Sequence, residues 1–261
     1  MSSHSSARLF VVLCLLVPTA AFAQGQPASD PQAVTYAAQS IAAMTGSTTI
    51  SDVTLTGTVT WNAGADTGTA TLRALGVGES RMDLALTSGT RTEIRDAQIG
   101  VPLGQWFAPN NASGYFASQN CSTDAVWFFP VLGSLAAGPN VVLSYIGATT
   151  WNEESVQHIQ SYVYQSNPAG LSPSPQQLST IDFYLDATTL LPAAVTFNAH
   201  PDNNANSNLL IEVDFSNYQT VSGVVVPMHI QKYQQGSLMV DVLVTGASFN
   251  TGLSLSIFTI N

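Results

Sequence analysis

The sequence predicts an α+β fold that is mostly β: an antiparallel meander after one N-terminal helix, with a helical segment set into its middle. Three observations predict it. Apolar and polar residues alternate with period 2 in run after run between Val53 and Thr245, as in half-buried strands. An early stretch, Val34 to Met44, instead repeats at helical spacing. Residues 104–138 break both rhythms and collect seven aromatic side chains.

The chain opens on a secretory pattern. Arg8 gives the positive charge, Leu9 to Leu16 the apolar run, and Ala21-Phe22-Ala23 a small-x-small cleavage site before Gln24. The run is shorter than the about 20 residues that span a bilayer. Residues 1–23 therefore read as a signal peptide and 24–261 as a single domain, exported to the periplasm or beyond the cell. No later stretch reads as a transmembrane segment.

Ser29-Asp30-Pro31-Gln32 resembles a capping box with Pro in the first turn, and Gly46 is a natural stop. Between them Val34, Ala37, Ala38, Ile41 and Met44 form an apolar stripe suited to lying on a sheet. Strands are then predicted from Val53 to Trp61, Thr67 to Leu75, Arg81 to Leu86 and Arg91 to Ala97; in the last, Arg91, Glu93 and Arg95 share a face. Asp124 to Ala137 reads as a short helix interrupted near Pro130. Strands resume at Val141 to Ile146 and Ser155 to Tyr164, followed by a Pro/Ser-rich loop, Pro168 to Gln177. Ile181 to Leu185, Ala193 to Asn198, Leu209 to Phe215, Val224 to Ile230 and Leu238 to Thr245 complete the series.

Charge excludes some partners. With 16 acidic and 6 basic residues the formal charge is −10, which repels phosphate backbones and makes nucleic acid a poor partner. Once Cys14 leaves with the leader, Cys121 remains alone, so no internal disulfide is expected. A buried structural role suits it best.

The C-terminal third carries a resemblance. Asp182-Phe183-Tyr184-Leu185-Asp186-Ala187-Thr188-Thr189-Leu190-Leu191-Pro192 is a hairpin of the pattern strand, Leu-Asp, Thr, Leu-Pro, strand. Glu212 to Tyr218, Val221 to Pro227 and Asn250-Thr251-Gly252-Leu253 with Phe258 follow in order. Together they resemble periplasmic lipoprotein-carrier domains of the LolA/LolB type. That resemblance implies a curved antiparallel sheet, an unclosed half-barrel, with helices plugging its concave side. It also implies that an apolar small molecule, a lipid or a lipidated protein is held there, with no cofactor and no catalysis.

For a cavity lining the expected residues are Trp106, Trp127, Phe128, Phe129, Leu132 and Leu135; Trp127-Phe128-Phe129 reads equally well as core. The second reading is a protein-interaction or envelope-sensor module without small ligand. The third is a hydrolase, which would need Asp182 or Glu212 beside His158 or His229 in a cleft. Asp182 and Asp186 share a strand face but read as solvent-facing strand and turn residues. Asp202, Asn204 and Asn206 alternate as in calcium loops, yet Ser207 replaces the required Gly and Val213 the bidentate Glu, so no metal is expected. No nucleophile elbow, phosphate loop or dinucleotide fingerprint is present.

Overall fold

The structure, a computed structural model, describes residues 26–76, 78–96, 102–124, 126–132, 135, 140–165 and 170–260. The expected leader lies outside the described residues, as do Ala97 and parts of the Asp124–Ala137 and Pro168–Gln177 segments.

Helix α1 (Pro31–Thr45) is capped by Asp30, whose carboxylate accepts from the N–H groups of Gln32 (2.7 Å) and Ala33 (3.4 Å). The expected cap was one residue earlier. Pro31 has no N–H to satisfy, so the first orphan donors lie within reach of Asp30. Ser29 instead accepts from the N–H of Leu143. The buried stripe is Ala33, Ala37, Ser40 and Met44, while Val34 and Ala38 face outward. Small residues on this face let the helix lie close to the sheet.

All strands join one 13-stranded antiparallel sheet, in the order β6-β5-β4-β3-β2-β1-β13-β12-β11-β10-β9-β8-β7. The first half is β1 (Asp52–Trp61), β2 (Asp66–Leu75), β3 (Glu79–Leu86), β4 (Gly89–Asp96), β5 (Leu103–Phe107) and β6 (Ser113–Tyr115). The second is β7 (Val141–Trp151), β8 (Glu154–Val163), β9 (Ile181–Asp186), β10 (Pro192–Ala199), β11 (Leu209–Val221), β12 (Val224–Gln234) and β13 (Ser237–Phe249). Each half is a meander, and pairing of β1 with β13 joins them. The sheet does not close: β6 and β7 are opposite edges, which makes it a curved half-barrel. Strand pairing is sealed at this junction by Asp52, 1% exposed, which accepts from Thr251 N, Thr251 Oγ1 and Gly252 N just past β13.

This topology forces the plug. Strands β6 and β7 are consecutive in the chain but lie at opposite edges, so the connection must traverse the whole sheet. It does so over the inner face. Helix α2 (Ser118–Thr123) begins the crossing and a 3₁₀ turn at Pro130–Leu132 continues it. Val126, Trp127, Phe128, Phe129, Val131, Leu132 and Leu135 are buried along the way, in one cluster with inward residues such as Leu55, Leu72, Phe183, Val213 and Val242. Among the described residues the regular helix thus lies before Asp124, and a 3₁₀ turn follows it. Pro130 and the run of bulky aromatics suit an irregular path packed by side chains. A short helix α3 (Pro175–Ser179) packs against β8 from the segment expected to be loop.

Candidate functional site

Strand β4 turns Arg91, Glu93 and Arg95 inward, opposite Leu84, Met82 and Ser80 of β3. Charged groups on a core face are costly unless paired. Here they are paired in a chain. Arg91 donates through Nε (2.9 Å) and Nη2 (2.6 Å) to Glu93 Oε1, and Arg95 Nη1 donates to Glu93 Oε2 (3.2 Å). Arg95 Nη2 also donates to Asp124 Oδ2 (2.5 Å), and Asp124 Oδ1 accepts from Lys232 Nζ (2.7 Å). Lys232 reaches it from β12, where it lies between Val213 and Val240 on neighbouring strands. One carboxylate of the crossing segment is therefore gripped by cations from two separated strands, and it ties the plug across the half-barrel.

Neighbouring residues hold this carboxylate in place. Asp124 follows α2 as its C-cap. The helix is fixed by Asn120, whose side chain donates to His200 O (2.9 Å) and accepts from His200 N (2.7 Å), and by Thr123 Oγ1, which donates to Leu178 O (3.0 Å). Gly104 on β5 leaves room for the approach: a Cβ there would lie 2.8 Å from Cys121 Sγ and 2.9 Å from the Phe116 ring. Each cation also lies over an aromatic ring. Arg91 is 4.5 Å from the centroid of Trp61, Arg95 4.1 Å from Phe116, and Lys232 4.7 Å from Trp127.

Burial alone would raise the Asp124 carboxyl, but the charges of Arg95 and Lys232 outweigh it and hold the pKa below the usual carboxylate value. Burial likewise opposes the charge on Arg95, and Asp124 and Glu93 outweigh it, so its pKa is raised. For the Cys121 thiol, desolvation wins and pushes the pKa up to about 11, so the thiol is protonated and inert at neutral pH.

These groups border a cavity of ≈ 240 Å³, walled also by Trp61, Phe116, Trp127 and Met239. Of the residues expected from sequence, Trp127 lines it. Trp106 lies on β5 opposite Glu93, half-buried, its ring against Gly114. Phe128, Phe129, Leu132 and Leu135, on the crossing segment itself, are buried in the core. Sequence reasoning missed Asp124 and Lys232 altogether. Its usable signal was the shared face of Arg91, Glu93 and Arg95 in a chain with so few basic residues.

The outward face carries the other candidates. His158 Nε2 meets Asp182 Oδ1 at 2.7 Å and stacks on Tyr184, which stacks on Trp151. His229 meets Asp241 at 2.8 Å and Ser216 Oγ at 3.4 Å. Both pairs lie on the sheet's outer surface rather than in the cavity above. Glu212 lies on the same face, across Thr196 from Asp182, and burial followed by the Asp214 charge raises its pKa. Asp186 closes its turn, accepting from Thr188 N, Thr189 N and Thr189 Oγ1. In the 200–208 loop, Asn204 bonds Ser207 and Asn206 while Ser172 donates to Asn206.

No family model and no curated protein matches the chain. Solved structures do. A domain from Vibrio parahaemolyticus assigned to outer membrane lipoprotein sorting aligns at 14% identity and TM-score 0.53, covering 86% of this chain and 95% of that one. A DUF1329 family protein from Desulfovibrio piger aligns at 10% identity and TM-score 0.55, covering 89% and 98%. A LolA superfamily protein from Nitrosomonas europaea aligns at 10% identity and TM-score 0.52, covering 87% and 97%. The chain therefore has the LolA/LolB-like half-barrel fold. At these identities the likeness is one of fold, and function has to be argued from the site.

Proposed function

We propose that the protein is an exported, non-enzymatic binder that takes an apolar ligand, a lipid or a lipidated protein, into the half-barrel beneath the crossing segment. The observation that carries this reading is the tie at Asp124. Among its described residues the segment covering the inner face is largely irregular, and ionic hydrogen bonds from two separated strands hold it down together with its buried apolar side chains. Against it pack apolar inward residues of the sheet such as Leu55, Leu72, Phe183, Val213 and Val242. The cavity of ≈ 240 Å³ is below the about 300–1,000 Å³ of ordinary small-molecule pockets, so a long chain enters only when the segment lifts. The fold shared with a lipoprotein-sorting domain agrees with this reading.

A specific observation favours a second reading. Phe128, Phe129 and Leu135 already fill the interior, each no more than 1% exposed, which suits an interaction module that never opens. A hydrolase is disfavoured because the His158–Asp182 and His229–Asp241 pairs lie on the outer face of the sheet, away from the cavity bordered by Asp124 and Lys232. Native mass spectrometry of protein purified without detergent, followed by organic extraction, separates the first two. A co-purifying lipid-sized species supports the carrier. An apo mass, with no uptake of alkyl probes by the wild type or by an Asp124→Asn variant, removes it in favour of the interaction module.

A further inference from the structure

The basic residues of this chain are few and unevenly placed. Beyond Arg8 in the leader they are Arg73, Arg81, Arg91, Arg95 and Lys232. Arg73 and Arg81 share Asp83 on the outer face. The other three all border the cavity of ≈ 240 Å³, where Glu93 and Asp124 are the acidic groups. Three cations against two carboxylates leave this spot at +1, inside a protein of formal charge −10. The imbalance is buried: the side chains of Arg95, Lys232 and Arg91 are 4%, 14% and 19% exposed. Among the described residues, Arg95 Nε has no hydrogen-bond partner at all. An uncompensated cation and an orphaned donor inside aromatic walls are each unfavourable. A ligand carrying one negative charge would relieve both.

We infer that this cavity recognises a single acidic group, a carboxylate or phosphate, at the head of an amphiphile. Arg91 and Lys232 supply charge at its rim, and Arg95 supplies the deeper donor. Trp61, Phe116 and Trp127 offer flat apolar contact to the carbons that follow the head. The acidic surface disfavours anions over most of the protein. The other net-positive spot, Arg73 and Arg81 about Asp83, is 29% and 31% exposed and screened by solvent, so the buried cluster is the more strongly favoured point of entry for such a group. The inference rests on the proposed apolar-ligand function and adds to it the chemistry of the head.

The test is a titration followed by tryptophan fluorescence, since Trp61 and Trp127 line the cavity. Probes are dodecanoate, dodecyl phosphate, dodecanol and inorganic phosphate, the amphiphiles kept below their micellar concentrations. Dodecanoate and dodecyl phosphate are expected to bind at least about tenfold tighter than dodecanol, the contribution of one charge-assisted contact in a dry site. Arg91→Gln should reduce that preference by a similar factor. Glu93→Gln, which removes a competing carboxylate, should increase it, so one variant gains where the other loses. Dodecanol binding as tightly as dodecanoate overturns the inference and leaves the apolar-ligand function standing. Inorganic phosphate binding as well as dodecyl phosphate overturns it in favour of a free-anion site. No binding of any alkyl probe removes both.

Discussion

Replacing Asp124 by Asn tests the tie between plug and sheet. The carboxylate is 13% exposed and bonds Arg95 Nη2 and Lys232 Nζ, whose side chains are 4% and 14% exposed. At an effective dielectric near 20, each contact at such range corresponds to about 4 kcal/mol of gross attraction, much of it offset by desolvation. Removing one partner takes from Lys232 its carboxylate and leaves Arg95 only Glu93, shared with Arg91, and breaking buried pairs in this way costs about 3–5 kcal/mol. Asp83→Asn is the control. Its partners Arg73 and Arg81 are 29% and 31% exposed, and solvent screening limits the expected loss to about 1 kcal/mol. Urea unfolding gives both numbers by linear extrapolation, provided the slope is unchanged. Hydrogen exchange adds the location: Asp124→Asn should speed exchange in residues 116–132 more than in β1, β13 or β12. A loss under 1 kcal/mol, or exchange that rises evenly over the sheet, would refute the argument that this carboxylate holds the plug.

Other expectations follow from the same geometry. Phe129→Ala, at a site with 0% exposure, should cost about 3–5 kcal/mol and leave a void that increases uptake of dodecanol; unchanged stability by urea titration would contradict its core position. Cys121 should resist iodoacetamide at pH 7.5 in the native protein and label in the Asp124→Asn variant, since its thiol is buried and protonated until the segment lifts. Asp124 titrates below its unfolded value, so its contribution is complete above about pH 4 and is lost as pH falls through the folded pKa. Acid should therefore destabilise the wild type more steeply than Asp124→Asn, measured as midpoint against pH. Glu212 has the opposite sign: its raised pKa costs stability once pH exceeds the unfolded value. Glu212→Gln should gain a few tenths of a kcal/mol at pH 7, and that gain should vanish near pH 4.

The period-2 rhythm made the strands legible because one face of nearly every strand is core. On β9, Ile181, Phe183 and Leu185 are buried while Asp182, Tyr184 and Asp186 are not. Strand β4 obeys the same rule with its polarity altered, since the inward row is Arg91, Glu93 and Arg95. Read alone, three charged residues on a strand face look solvated. What reverses them is Asp124, 29 residues beyond Arg95, and Lys232, 108 beyond Asp124. No local pattern carries contacts of that separation. Strands β5 and β6 were hidden for another reason. They are 5 and 3 residues long, and Gly104 and Gly114 stand where an alternating pattern would need side chains. Those glycines are explained by packing, since Phe116, Cys121 and the Trp106 ring occupy the space. The pairing of β1 with β13 is as remote and equally without a local signal; Asn250-Thr251-Gly252 belongs to the resemblance, and the structure shows Thr251 and Gly252 bonded to Asp52 at that junction.

A buried ionic network is a poor way to stabilise a core. Hydrophobic residues of the same volume often do as well or better, by about 1–4 kcal/mol. The inner face of this half-barrel is otherwise largely apolar, so Leu or Met at Arg95, Asp124 and Lys232 would have been a simple route to a permanent plug. Such a plug would be held by packing alone, which no polar ligand can compete with. Ionic hydrogen bonds differ in this respect, because an incoming acid can take the place of Asp124 on the same cations. In the proposed binder the network therefore trades stability for exchange: one anion holds the segment down, and another can relieve it at little net cost. A triple variant with Met at positions 95, 124 and 232 should accordingly unfold at higher urea concentration than the wild type yet lose uptake of dodecanoate. If instead it bound dodecanoate as well as the wild type does, the cations would have no part in opening the half-barrel, and only the apolar wall would remain as the binding determinant.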